Sequence, residues 1–238
     1  MPNSTHELVT PFAELDAQGL NLQAVFNVAD LPSDVRSALP SVEGDSLHQL
    51  LLIGHRGGFL WQQLNQEGLN GTHPIDEFTR TKVTAWLAHH HPTSRCHFVY
   101  PGPLTVGLQR LGTLAGWHYP SPFMVGVNAK WGSWFAYRAA VLFNTDITPT
   151  VPLGGESPCD SCASRICVRS CPANALNGAF NLSVCLDYRR QTDSACKDRC
   201  MARNSCPVGA EHRYSDEQIS YHYGQSMRAI NKQARSVD

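Results

Sequence analysis

Thiols are the residues of this chain best able to do chemistry. Nine cysteines occur in 238 residues, and eight of them lie between Cys159 and Cys206. The ninth, Cys96, has no partner in sequence and reads as a small buried apolar residue. A thiolate is a soft donor, so eight of them in one short stretch could hold metal, and oxidation could pair them as disulfides. In a reducing compartment such a concentration points to metal rather than to disulfides. The first group runs Cys159-x2-Cys162-x4-Cys167-x3-Cys171-Pro172. The second runs Cys196-x3-Cys200-x5-Cys206-Pro207, with Cys185 between the groups.

This order resembles the bacterial two-cluster ferredoxin run, C-x2-C-x2-C-x3-C-P, whose last cysteine serves the other cluster. Three thiolates on a tight loop wrap one cubane, and the Cys-Pro turn carries a fourth to its neighbour. Backbone N–H groups of such loops also point at the cluster and stabilise negative charge. Two departures stand out: x4 replaces x2 in the first group, and the second group is stretched and takes a thiolate from Cys185. Both Cys-Pro steps remain, and eight thiolates make two sets of four. The resemblance implies one [4Fe–4S] cluster on Cys159, Cys162, Cys167 and Cys206, and another on Cys171, Cys185, Cys196 and Cys200. Four-cysteine zinc sites also fit the count, although zinc knuckles use paired C-x2-C units and only one such pair exists here.

The rest of the chain must position these thiols. Hydrophobic residues make up 42% and charged residues 16%, enough apolar material for a core and too much for a disordered chain. Net charge is −1, so the basic excess of a nucleic-acid binder is absent and none is expected as a partner. No apolar run approaches the roughly 18 residues of a membrane span. Met1 to Phe12 lacks the pattern of a signal peptide, and the expected compartment is the cytoplasm. Residues 24–29 and 48–54 read as strands, the second fully buried. The turn His55-Arg56-Gly57-Gly58 follows, then a helical pattern from Phe59. Pro74 to Leu87 reads as a helix capped by Thr72, with Ile75, Phe78, Val83, Trp86 and Leu87 on one face. His89, His90 and His91 end it and read as a solvated helix end, because adjacent side chains diverge. Phe123 to Val127 and Ser133 to Phe143 read as strands, residues 145–158 as a Pro- and Gly-rich linker, and the tail from Ser215 as helix.

The lone Cys185 after the first Cys-Pro step makes the chain similar to epoxyqueuosine reductases and corrinoid-dependent reductive dehalogenases. The stretch Trp131-Gly132-Ser133-Trp134-Phe135-Ala136-Tyr137-Arg138 resembles a Gly-Ser-Trp-Phe strand of the former and a Gly-Gly-Trp-Phe-Ala-x-Arg-Gly strand of the CblC family of cobalamin-processing proteins. The tail His212-Arg213-Tyr214-Ser215-Asp216-Glu217-Gln218 resembles a Glu-Arg-Tyr-Ser-Glu-Glu-Gln stretch of that family. The implied fold class is α+β: a nitroreductase-like α/β domain over residues 1–150, a small ferredoxin-like two-cluster module over 151–211, and a helical tail over 212–238 that packs back on the main domain. A corrin is a broad apolar plate fringed by amides, and aromatic walls suit it. The implied corrinoid wall is Trp117, Phe123, Trp131, Trp134, Phe135 and Tyr137, with Arg138 and Arg213 as polar contacts. His55 and His118 are candidate cobalt ligands, although a lone histidine is more often structural. In CblC-like proteins the arginine matching Arg138 helps bind glutathione. Epoxyqueuosine reductases carry an acid in an Asp-Ser-Ala-Pro context where this chain has Tyr100-Pro101-Gly102-Pro103, which puts that acid's role in doubt here.

Three functions stay open at this point. The first is an iron–sulfur oxidoreductase that passes single electrons from an unidentified donor protein to a bound cobalamin, whose reduction releases its upper ligand. The second is a ferredoxin-like carrier that binds no corrinoid. The third is a reductase that uses flavin mononucleotide.

Overall fold

The structure, a computed structural model, describes residues 11–41, 46–68, 70–102 and 106–235, with side chains to residue 232. Two compact units form. One takes the chain up to Leu108 together with Ala136–Thr150, and the other takes Gln109–Phe135 and the chain from Val151 onward.

In the first unit the elements run α1 (Ala13–Ala17), β1 (Leu22–Asn27), α2 (Ser33–Arg36), β2 (Gln49–Arg56), α3 (Phe59–Glu67), α4 (Pro74–His90), β3 (Cys96–Tyr100) and β4 (Phe135–Phe143, apart from Phe135). The strands make a four-stranded sheet in the order β1-β2-β4-β3, and the β1–β2 and β3–β4 pairs are antiparallel. β2 lies between two neighbours, and its run Leu50-Leu51-Leu52-Ile53 is completely buried. An unbroken apolar run, rather than an alternating one, suits such a strand because both faces meet protein. α4 buries the apolar face read from the sequence, but Thr72 does not cap it. His73 takes the cap position without a side-chain bond, and its own N–H donates to Glu77 Oε1 at 3.3 Å.

Three further expectations are corrected. Phe123–Val127 is not a strand: Pro120 and Pro122 precede the run, Gly126 interrupts it, and only the isolated bridge Tyr119–Val127 forms. Residues 145–150 are no free linker. Gln49, buried at the start of β2, accepts from the Thr145 hydroxyl and the Ile147 N–H and donates to the Ile147 carbonyl. Thr150 then bonds Val25 of β1 through both its N–H and its hydroxyl, so the segment lies along the edge of the sheet. Cys96 is exposed rather than buried, because it opens β3 at the rim of the sheet.

The second unit holds α5 (Leu108–Leu114, apart from Leu108), α6 (Ile166–Arg169), α7 (Leu182–Arg190), α8 (Met201–Ser205) and α9 (Asp216–Arg235). Asn181 caps α7 by accepting from the Val184 N–H at 3.1 Å. The backbone of Trp131–Gly132 crosses that of Val208–Gly209 at close range. A Cβ on Gly132 would stand 1.9 Å from the Val208 carbonyl oxygen, and one on Gly209 would stand 2.2 Å from Gly132 N. Both glycines also have left-handed φ, +58° and +65°.

Gly132→Ala is therefore expected to destabilise the protein by roughly 3 kcal/mol or more, since no flexible side chain can yield there. Thermal unfolding measures it, and a variant melting within about 2 °C of the parent would mean that the crossing tolerates a methyl group.

Candidate metal centre

The eight clustered cysteines all belong to the second unit, and none of the nine is in a disulfide. Short helices and matched turns carry them. The Cys159 N–H donates to the Ser157 hydroxyl at 3.3 Å, and the Cys196 N–H donates to the Ser194 hydroxyl at 3.1 Å. One Ser-x-Cys turn thus opens each half. Cys200 stands at the N-terminus of α8, where its sulfur accepts from the Arg203 N–H at 3.5 Å.

The thiols fall into two electrostatic groups. Burial pushes the Cys159 thiol up, and Cys206, Cys167 and Cys162 add to the shift. Burial likewise raises Cys167, with further pressure from Cys206 and Cys162. In the other half, burial raises Cys185, followed by Cys200, while Cys171 and Cys196 add to it. Cys196 is raised by burial first, and Cys200 and Cys171 reinforce this. Two quartets result, Cys159/162/167/206 and Cys171/185/196/200. Among the described residues no three thiols of either quartet have all their sulfurs within 4.8 Å of one another. A cavity of about 280 Å³ is lined by all four cysteines of the second quartet, together with Phe123, Leu176 and Phe180. Phe123, Leu176 and Ala202 also pack with Cys167 and Cys206 of the first quartet, so one apolar core supports both.

Two arginines that the sequence reading passed over attend the second quartet. Arg189 lies one helical turn after Cys185 on α7, donates to the Cys196 carbonyl at 3.2 Å and counters the upward shift of the Cys185 and Cys196 thiols. Arg203 is buried. It donates to the Ser133 hydroxyl at 3.2 Å and the Ser133 carbonyl at 2.6 Å, and its guanidinium sits 4.6 Å from the centre of the Trp134 ring. The available signal was spacing: each arginine follows a cysteine at i+3 or i+4, which puts both on one helix face.

The expected corrinoid wall is distributed. Trp117, Trp131, Trp134 and Phe135 are buried. Trp131 meets Phe135 edge-on at 6.2 Å, and Trp134 meets Tyr214 edge-on at 5.4 Å. Phe123 lines the cavity. Arg213 is exposed, lies over Trp134 at 5.4 Å and donates to the Asn204 carbonyl at 2.7 Å. Tyr137 and Arg138 belong to the first unit, where burial pushes the Tyr137 phenol up. Arg138 Nε donates to Nδ1 of the completely buried His55 at 2.9 Å. That bond takes up one ring nitrogen of a candidate cobalt ligand.

Comparison with models of known protein families finds no match, and no curated protein matches the chain. Solved structures do match in fold. An epoxyqueuosine reductase crystallised with an epoxyqueuosine-modified tRNA-Tyr stem loop aligns with 88% of this chain and 67% of its own, at 16% identity and a TM-score of 0.54. The Streptococcus thermophilus epoxyqueuosine reductase aligns with 86% of this chain and 66% of its own, at 12% identity and a TM-score of 0.52. The C. elegans B12-trafficking protein CblC, homologous to human MMACHC, aligns with 89% of this chain and 88% of its own, at 13% identity and a TM-score of 0.51. This chain has the epoxyqueuosine reductase/CblC-like fold. It spans about two thirds of the epoxyqueuosine reductases it resembles. The first of these was crystallised with an RNA stem loop, whereas the sequence reading of this chain expected no nucleic-acid partner. No helix among the described residues is long and apolar enough to cross a membrane.

His118, the other candidate cobalt ligand, is buried, and desolvation lowers its pKa. The unfolded chain therefore binds that proton more readily, and stability falls as pH drops below about 6.5. Denaturant unfolding at pH 7.5 and 5.5 is expected to lose less stability in His118→Asn than in the parent. The difference in slope is bounded by the ~1.4 kcal/mol per pH unit that one proton allows.

Proposed function

We propose that the protein is an iron–sulfur oxidoreductase that delivers single electrons to a corrinoid substrate. The observation that carries this reading is the sorting of eight thiols into two quartets, in a chain whose fold neighbours include epoxyqueuosine reductases and a B12-trafficking protein. Cys159, Cys162, Cys167 and Cys206 would hold one [4Fe–4S] cluster, and Cys171, Cys185, Cys196 and Cys200 the other. The two Cys-Pro steps and the order of the thiols support multi-iron clusters over single zinc ions, whose knuckles use paired C-x2-C units. A cavity edged by four thiols and apolar side chains also suits a compact inorganic group. When bound, such clusters supply one-electron chemistry at potentials set by burial, charge and hydrogen bonds.

The chain's own residues shape that chemistry. Arg189 places positive charge beside Cys185 and Cys196 of the second quartet and stabilises its electron-rich state. In the first quartet Arg165 acts the same way on Cys162, and Asp160 acts the opposite way on Cys159. Ile166, Val184 and Met201 are exposed apolar residues, each adjacent in sequence to a cysteine of a quartet. They suit the docking of an electron-donor protein. The nitroreductase-like domain, the ferredoxin-like module and the cytoplasmic setting belong to the same reading. A tRNA substrate is the second reading, favoured by the fold neighbour crystallised with a tRNA stem loop.

Two experiments test the proposal. Anaerobic reconstitution with iron and sulfide is expected to load about eight irons per chain, the sum of two four-iron clusters. Cys171→Ala and Cys206→Ala are each expected to remove one cluster's signal from the EPR of the reduced protein while the other persists. A variant that keeps both overturns the ligand sets. Titrating the loaded protein with hydroxocobalamin is then expected to give a saturable visible shift near one corrinoid per chain. Unmoved corrinoid bands beside an intact cluster spectrum would leave an electron carrier. Salt-sensitive binding of tRNA in place of corrinoid would favour the second reading.

A further inference from the structure

We infer that Glu14, His89 and His90 form a surface site for a borderline divalent transition ion of the zinc type, separate from the cysteine quartets. Their ligand atoms all lie within 4.8 Å of one another, the one group of three or more potential metal-ligand residues to do so among the described residues. Adjacent histidines on a helix ordinarily diverge, and their neighbouring positions gave no reason to expect convergence. They converge here because they use different ring nitrogens. His89 offers Nδ1, the atom nearer its backbone, and His90 offers Nε2, the farther one, each 3.1 Å from Glu14 Oε1.

The scaffold behind the trio is anchored. Trp86, one turn earlier on α4, is buried and donates from Nε1 to the Pro11 carbonyl at 3.1 Å. It packs on Phe12 with ring centres 5.1 Å apart, and so ties the start of α1 to the end of α4. The His90 ring rests against Trp86 at 5.7 Å, and His91 meets the same indole edge-on at 5.4 Å. Trp86 thus orients His90 and draws His91 away from the trio. Two imidazoles and one carboxylate are a donor set for zinc and its neighbours rather than for magnesium or calcium, which prefer oxygen. All three residues are exposed, so water or a small ligand completes the shell. A groove of about 410 Å³ opens beside them, lined by Glu14, Ala17, Lys82, Trp86 and His89.

The test compares tag-free parent and variants by equilibrium dialysis against zinc alone, after anaerobic reconstitution with iron and sulfide. Zinc held by thiols is common to all samples, so the difference between samples reports the new site. The parent and His91→Ala are expected to take up one more zinc per chain than the double variant His89→Ala/His90→Ala. Glu14→Gln is expected to weaken that zinc by at least the roughly tenfold typical of losing even an outer partner. The exposed positions leave the fold intact, which far-UV circular dichroism checks. Equal uptake by the parent and the double variant overturns the inference and leaves the trio as an ion-paired contact between α1 and α4. Loss of the extra zinc in His91→Ala but not in the double variant overturns the choice of ligands.

Discussion

Two backbone segments, Trp131–Gly132 and Val208–Gly209, pass so near each other that no side chain fits between them. This crossing fixes the end of the cysteine-bearing segment within the second unit. Residues 131–132 lead into β4, and residues 208–209 follow directly on Cys206-Pro207. The crossing thus pins the last cysteine of the chain to a segment more than 70 residues earlier. Arg203 reinforces it by bonding Ser133 twice and stacking on Trp134. The cost of burying that guanidinium is offset because its polar edge meets a hydroxyl and a carbonyl and its flat face meets rings. Tyr214 and Ile219 close over Trp134 from the chain beyond, so the start of α9 seals the same core.

Buried thiols close to one another resist ionisation, and the upward shifts of Cys159, Cys167, Cys185 and Cys196 record that resistance. A strongly positive group shared by each quartet would reverse it, because metal ligation deprotonates thiols outright. Such a group would contribute to the fold as well as to redox chemistry. The second unit has short helices, and one core cluster in it includes cysteines of both quartets.

The first unit works differently. Its stability comes from β2, buried on both faces, and from polar closure at its ends. Gln49 satisfies its amide through Asn27, Thr145 and Ile147, and Arg138 donates to His55 Nδ1 across neighbouring strands. The fold shared with epoxyqueuosine reductases and CblC is a scaffold on which different chemistries can be placed. The chemistry of this chain lies in particular residues, the eight thiols with Arg189 and Arg203 near them, while the Tyr100-Pro101-Gly102 stretch lacks the acid expected from the resemblance.

By itself, the sequence determined features set by short-range chemistry. The cysteine spacing and both Cys-Pro steps pointed to eight thiols acting in two sets. The run Leu50–Ile53 announced a buried strand, and the periodicity from Pro74 announced α4 with its apolar face. These signals are local, because side-chain period and ligand spacing are written in neighbouring residues. Only the tertiary structure decided features that depend on partners distant in sequence. Phe123–Val127 reads as strand material, but two prolines and a glycine leave it without a ladder. The segment after Thr145 reads as linker, yet it is bound along β1 by residues about a hundred positions away. Cys96 is apolar enough to be buried, but the strand order leaves it at the rim. His89 and His90 are adjacent on their helix, yet different ring nitrogens of the two meet the same Glu14 oxygen, which α1 supplies. Local propensity cannot encode such contacts, since each requires a surface that folding alone assembles.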